Sequence, residues 1–281
     1  MMYRLLVTDL DGTLATSTRE ITPRTLAAVR AAQQQGVRVC LATGRMWSSA
    51  EPYARRLGAD PPAILYNGGL VYDFATGAVL YRLPLGYEPA RAVLEMLREF
   101  PSVLPHLYIN DRVYAAGPSE LTEQYRRRNG LEVELVGDLV AFLRLEPMKI
   151  LIIGTPDDLL TVLAQIRARA LPVHAVFSEP TFLEILPQGS SKGTALEFLA
   201  PRLGVPLAEV IAVGDNLNDL EMIQTAGLGV AMGNAPAEVK SQADYVTATN
   251  DNEGLAVVIE RFILADGRAS SNAAPKKARK G

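Results

Sequence analysis

Residues 3–8 form an apolar run that stops on Asp9-Leu10-Asp11-Gly12-Thr13-Leu14. The carboxyl edge of a parallel sheet, where strands end in open backbone, is the place at which α/β folds bind ligands. Two acids this close repel unless a cation lies between them, and a bound Mg²⁺ would relieve the repulsion. Gly12 permits a sharp turn, Thr13 offers a hydroxyl and Leu14 heads back toward the interior. Taken alone, the segment also fits an ordinary turn that closes a strand.

The neighbouring sequence keeps a strand–helix rhythm, with a helix at 23–35, a strand at 37–42, a helix at 47–57 and a strand at 63–66. Such alternation predicts a parallel sheet. Thr22 is placed to cap the first helix, Pro23 suits its first position, and Gly36 follows its end. From residue 188 the rhythm resumes, with helices at 193–203, 219–225 and 236–241, strands at 210–213, 229–231 and 245–247, and a closing helix at 254–264. The interval 85–187 differs. Its helix at 89–99 gathers Ala90, Val93, Leu94 and Leu97 on one face, and strands at 107–109 and 113–115 flank a hairpin turn at Asn110-Asp111-Arg112. A short helix at 121–128, strands at 149–153, 174–177 and 182–186, and a helix at 157–169 complete it. The expected fold is α/β, a doubly wound and mainly parallel sheet built from 1–84 and 188–266, with an α+β module inserted at 85–187.

At 281 residues the chain exceeds the usual single-domain size, and 48% hydrophobic content supports sizeable cores. Charges nearly balance, 28 basic against 31 acidic, and Lys276, Lys277, Arg279 and Lys280 fall in a segment at 267–281 that reads as a disordered, solvated tail. Nucleic acid is therefore not an expected partner. Cys40 is the only cysteine, within a strand, and reads as a buried inert thiol in a reducing compartment. The first strand begins at once, without a charged leader, and no apolar run approaches membrane-spanning length, so a cytoplasmic chain without a membrane partner is expected.

Three further clusters fall where this fold brings chain ends to the edge that carries Asp9. Thr43-Gly44-Arg45 offers a hydroxyl and a backbone N–H beside a permissive glycine, groups suited to phosphate oxygens, or else a helix-capping turn. Lys192, in Gly189-Ser190-Ser191-Lys192-Gly193, opens a helix with the stripe Leu196, Leu199, Ala200 and Leu203. The macrodipole disfavours a cation there by about 0.3–1 kcal/mol, so either an anion lies nearby or the lysine is exposed and screened. Gly214-Asp215-Asn216-Leu217-Asn218-Asp219 again delivers carboxylates after a strand. Asp215 is suited to complete a hard oxygen site for Mg²⁺ with the first-strand acids, and Asn218 to donate an amide hydrogen to an anion. Asp219 is either a supporting acid or a helix N-terminal acid, and Asn67 either a ligand contact or a turn residue. His106 and His174 lie outside every cluster, so acid/base work falls to a carboxylate.

These four clusters, in this order, resemble the haloacid dehalogenase superfamily of phosphatases, specifically its Cof-type branch. The motifs Asp-x-Asp-Gly-Thr, Thr-Gly-Arg, Ser-Lys-Gly and Gly-Asp-x-x-Asn-Asp stand here with an α+β cap between the second and third. Tyr66-Asn67-Gly68-Gly69 and Phe182-Leu183-Glu184-Ile185 are similar to secondary signatures, and the likeness spans residues 3 to about 264. It implies a Rossmann-like core whose inserted cap sets substrate specificity. Asp9 would be the nucleophile, forming an aspartyl phosphate, and Asp11 the acid/base. Asp9 and Asp215 would bind Mg²⁺ through side chains and Asp11 through its carbonyl. Leu10 N–H, Thr43, Gly44, Lys192 and Asn218 would hold the phosphoryl group, with Thr13, Arg45, Asn67 and Asp219 in support or toward substrate. The implied substrates are small phosphorylated metabolites, sugar phosphates first and nucleotide, flavin or pyridoxal phosphates behind them. A phosphotransferase or mutase on the same scaffold is the alternative. A receiver-like phospho-acceptor would be shorter and would lack the cap.

Overall fold

The computed structural model describes residues 3–58 and 62–265. Every residue of β1 (Leu5–Thr8) is buried, which requires cover on both faces of its sheet. α1 (Pro23–Gln34) supplies part of it. Thr22 accepts from the Thr25 amide at its start, Pro23 occupies the first turn, and Ala28, Val29 and Ala32 turn inward. β2 (Arg38–Leu41), α2 (Trp47–Leu57) and β3 (Ala63–Leu65) then follow the predicted rhythm. In β2 the Cys40 thiol is buried and donates to Pro62 O at 3.0 Å.

β3 departs from expectation, because it does not lengthen the parallel sheet. It pairs antiparallel with β4 (Leu70–Asp73), which pairs with β5 (Ala78–Arg82), and it meets the main sheet through one parallel bridge between Ala42 and Ile64. The cause is local backbone geometry. Tyr66, Asn67 and Gly68 take φ of 51°, 54° and 95°, which folds the chain straight back. A Cβ on Gly68 would lie 2.0 Å from Ser191 O, so glycine is required there.

The middle of the chain runs α3 (Tyr87–Leu97), β6 (Leu104–Ile109), β7 (Arg112–Ala115), α4 (Glu120–Asn129), β8 (Val133–Leu135), α5 (Leu139–Phe142), β9 (Lys149–Ile153), α6 (Pro156–Ala168), β10 (Val173–Glu179) and β11 (Phe182–Pro187). Its strands form one sheet in the order β10-β11-β9-β6-β7-β8, antiparallel except for β7 with β8. Strand alternation divides its residues between two faces. Leu107, Ile150, Ile152, Leu183 and Ile185 pack with Val93, Leu94, Leu159 and Val162 of α3 and α6. Tyr108, Lys149, Leu151 and Glu184 take the other face, over the core. Sequence reading did not foresee β4, β5, β8 or α5.

α7 (Lys192–Arg202), β12 (Val210–Gly214), α8 (Leu220–Thr225), β13 (Leu228–Ala231), α9 (Ala237–Gln242), β14 (Tyr245–Val246) and α10 (Gly254–Ile259) complete the core, and α10 runs on into a π turn at Glu260–Leu264. The core sheet is wholly parallel, ordered β14-β13-β12-β1-β2. Because β1 and β12 are neighbours with Thr8 opposite Val213, the chain after each emerges at one edge. Among the described residues no helix is long and apolar enough to cross a membrane. The expected basic tail lies outside the described residues.

Candidate active site

Lys192 is the first residue of α7, whose N-cap Ser191 accepts from the Thr194 amide. Its side chain is fully buried, and Nζ donates to Asp9 Oδ1 at 2.6 Å and to Asp219 Oδ1 at 2.7 Å. The exposed, screened lysine is thus ruled out, and two carboxylates offset the unfavourable dipole. Burial alone would lower the ammonium, but Asp219 and Asp9 outweigh it and hold it above the ordinary lysine range. Burial, together with Asp219, Asp215 and Asp11, pushes Asp9 well above the usual carboxylate range in spite of Lys192.

Asp215 sits beside them. Thr13 Oγ1 donates to its Oδ1 at 2.8 Å, and Asn234, which sequence reading missed, donates to Gly12 O at 2.9 Å and to Asp215 Oδ2 at 3.3 Å. Carboxylate oxygens of Asp9, Asp215 and Asp219 lie within 4.8 Å of one another. Asp219 is already committed, since Oδ1 takes Lys192 and Oδ2 accepts from the Asp215 and Asn216 amides at 2.9 and 3.0 Å. Asp9 and Asp215 carry fewer and weaker donors, and the Asp11 carbonyl accepts no hydrogen bond among the described residues. Hard oxygen donors crowded at a buried edge, where Lys192 is the one cation paired with Asp9 among the described residues, fit a divalent metal.

The other rim is furnished with donors. Thr43 is buried, its Oγ1 accepting from Arg45 N at 3.2 Å. The Leu10 and Gly44 amides have no acceptor among the described residues. Asn218 Nδ2 donates to Asn67 Oδ1 at 3.0 Å, while Asn67 Nδ2 is buried without a partner among the described residues. An unpaired buried amide costs about 1–3 kcal/mol, so Asn67 is better explained as a donor awaiting a ligand than as a turn residue alone. Asp11 receives two guanidinium bonds from Arg45, at 2.6 and 2.7 Å. Burial would raise its carboxyl, but the Arg45 bonds and charge hold it below the usual range.

The family model of the haloacid dehalogenase-like hydrolases matches residues 6–259. The chain belongs to that family. HMP-PP phosphatase of Serratia proteamaculans is 34% identical over 85% of this chain and 87% of its own. Pyridoxal phosphate phosphatase of Escherichia coli is 30% identical over 94% of this chain and 100% of its own. A solved haloacid dehalogenase-like hydrolase from Bacteroides thetaiotaomicron is 34% identical with a TM-score of 0.81, covering 92% of this chain and 99% of that one. Those two named relatives are phosphatases, and this chain is a phosphate monoester hydrolase of the same family.

In this haloacid dehalogenase-like hydrolase a cavity of about 380 Å³ stands over Asp9 and Asp11. From the inserted module come Phe182 and Glu184, of the Phe182-Leu183-Glu184-Ile185 signature, and Tyr108, Tyr125 and Lys149, which sequence reading did not single out. A signal for Lys149 existed, since Lys149 and Glu184 are single charges in otherwise apolar strands. They pair at 2.8 Å, and Lys149 Nζ also donates to Gly44 O at 2.8 Å, tying the module to the Thr43-Gly44-Arg45 loop. Neither histidine lines the cavity: His106 is buried against Thr122 at 3.0 Å, and His174 donates to Ser190 O at 2.7 Å.

Proposed function

We propose that this chain is a Mg²⁺-dependent phosphatase that hydrolyses small phosphorylated metabolites, sugar phosphates first, through an aspartyl phosphate at Asp9. The observation that carries this reading is the wholly buried Lys192 ammonium shared between Asp9 and Asp219, beside Asp215 at a parallel sheet edge. A carboxylate with a buried cation on one oxygen is positioned and shielded from water, as a phosphoryl acceptor needs. Asp9 and Asp215, with the Asp11 carbonyl, would hold Mg²⁺, which when bound offsets the charge of the phosphoryl oxygens. Thr43, Gly44, Leu10 N–H, Asn218 and Asn67 hold those oxygens, and Lys192 sets Asp9 in line. Asp9 attacks phosphorus as the ester P–O bond breaks, and Asp11, which on substrate binding leaves Arg45 and takes up a proton from solvent, gives that proton to the leaving alkoxide. Asp11 then takes a proton from the water that attacks phosphorus, breaking the bond to Asp9 and freeing inorganic phosphate.

The cavity suits a metabolite rather than a protein segment, and its roof of Tyr108, Tyr125 and Phe182 gives the alcohol portion of the ester aromatic surface to lie on. The names of the two phosphatase relatives agree with a small substrate. A reducing, cytoplasmic setting suits the lone Cys40, whose thiol burial pushes up to about 12.

The test is release of inorganic phosphate from a panel of phosphorylated metabolites, with Mg²⁺ and with chelator, for the wild type and Asp9→Asn. Wild type should turn over at least one compound, and chelator and Asp9→Asn should each abolish turnover while the circular dichroism spectrum stays unchanged. Full activity in Asp9→Asn would overturn the mechanism. Absence of inorganic phosphate, with the phosphoryl group recovered as a new ester of an added second alcohol, would instead make the chain a phosphotransferase.

A further inference from the structure

The inner end of the cavity accounts for the phosphoryl group of a substrate; its outer wall holds a cation with no such account. Arg19 closes a tight turn in which its amide donates to Thr16 O at 2.8 Å, and it takes φ of 65°. A non-glycine residue in that conformation is strained, and such strain concentrates at ligand sites. Its guanidinium is half-buried and donates from Nη1 to Arg128 O and from Nη2 to Asn129 Oδ1 at 3.3 Å, both at the end of α4. Only neutral acceptors are engaged. Among the described residues Arg19 has no ion-pair partner, and its Nε–H and one hydrogen on each terminal nitrogen remain for another group.

Its neighbours sharpen the anomaly. Arg45 and Arg128 line the same cavity, but Arg45 is neutralised by Asp11 at 2.6 Å and Arg128 by Glu179 at 2.6 Å. Arg19 therefore stands near two guanidiniums that each hold their own carboxylate, while no carboxylate lies at ion-pair distance from it among the described residues. Burial, Arg45 and Arg128 disfavour its cationic form, and Asp11, itself paired with Arg45, only partly offsets them, although a guanidinium does not lose its proton in a protein. A partly desolvated charge with no ion pair of its own is costly. Arg19 also lines an adjoining cavity of about 940 Å³, which shares Arg45, Met46 and Arg128 with the first. It thus sits where the part of a substrate away from the scissile ester would lie.

We propose that Arg19 is a specificity-determining residue that receives a second anionic group of the substrate, so that the preferred substrates carry a further phosphate or carboxylate besides the phosphoryl group removed. This rests on the phosphatase reading above and narrows its substrate class. Guanidinium is suited to either anion, because its fork of N–H groups matches two oxygens at once.

The experiment compares matched pairs with Mg²⁺: fructose 1,6-bisphosphate against fructose 6-phosphate, and 3-phosphoglycerate against glycerol 3-phosphate. In wild type kcat/KM should favour the first member of at least one pair by about tenfold, the scale of one charge-assisted hydrogen bond. The pair that discriminates tells phosphate from carboxylate. Arg19→Gln should erase the preference through KM, leaving the singly phosphorylated partners within about threefold of wild type, and Arg19→Lys should keep part of it. Calorimetric titration of the same four compounds into Asp9→Asn, with and without Arg19→Gln, should show the same ratios without turnover. No preference in wild type, or an equal loss on all four compounds in Arg19→Gln, would overturn the proposal; the latter outcome makes Arg19 a strut between core and inserted module. Hydrolysis of none by wild type counts against the phosphatase reading, and the titrations then decide Arg19 separately.

Discussion

Lys192 shows how one residue's surroundings decide between readings that sequence leaves open. A lysine in the first turn of a helix is ordinary when exposed; at 0% exposure and 2.6 Å from Asp9 it is a structural counter-charge. Asp9 lies 183 residues away, so no local pattern discloses the pairing. Asp219 is resolved in the same way. It is a helix-start acid, accepting the Asp215 and Asn216 amides through one oxygen, and it also supports the site by taking Lys192 on the other. Asp11 lies 34 residues from Arg45, and their pairing was likewise hidden. Replacing Lys192 by Met keeps the volume and strands two buried carboxylates, which costs about 3–5 kcal/mol. Urea unfolding of Lys192→Met should show a loss of that order, with phosphatase activity abolished. Lys192→Ala should be at least as damaging. A stability within about 0.5 kcal/mol of wild type would show that the ammonium is not the counter-charge of both acids.

At the scale of elements, legibility followed burial pattern. β1, β2, β9 and β12 are short apolar runs between turn signals, and sequence reading placed each within a residue or two. β8 escaped because it has three residues, two of them exposed, and β4 with β5 escaped because a bulge between Val71 and Tyr72 breaks the alternation. β6 carries a residue whose burial has a measurable consequence. His106 is wholly buried; Nδ1 donates to Leu104 O at 3.0 Å, which leaves Nε2 to accept from the Thr122 hydroxyl. Burial lowers its pKa from the ordinary 6.5 to about 4. Above pH 6.5 folded and unfolded chains both hold it neutral; between 6.5 and 4 only the unfolded chain takes the proton, so stability falls as pH falls through that window. The full loss is on the order of 3 kcal/mol. His106→Gln should be less sensitive than wild type by roughly 2–3 kcal/mol when urea unfolding at pH 7 is compared with pH 4.5. Parallel losses in the two chains would mean that His106 is not held neutral.

The site belongs to the whole molecule, because β1 and β12 come from opposite ends of the sequence and the inserted module closes over them. Polar contacts seat that module: Lys149 on Gly44 O at 2.8 Å, Asn216 on Ser178 O at 2.7 Å, and Asp111 receiving the Ser48 amide at 3.2 Å. Anything bound between β1 and β12 therefore stabilises the fold globally. Without a divalent cation, burial and Asp219 push the Asp215 carboxyl up to about 7, against an ordinary 3.8. Between those values the unfolded chain has released the proton and the folded chain has kept it, so stability falls as pH rises toward 7 and then levels. A divalent cation reverses the sign. It binds the ionised form and displaces the proton, so its affinity and its stabilising effect grow with pH. At a hundredfold excess over Kd the gain is about 2.7 kcal/mol. Measured against Asp215→Asn, which shares every other titration, the wild-type thermal midpoint in chelator should accordingly fall between pH 5.5 and pH 8, and the rise on adding Mg²⁺ should be larger at pH 8, by several degrees. Asp215→Asn should lose the Mg²⁺ increment, with a midpoint in chelator at pH 8 no lower than that of wild type. A Mg²⁺ increment independent of pH, or one that survives Asp215→Asn, would place the metal elsewhere in the molecule.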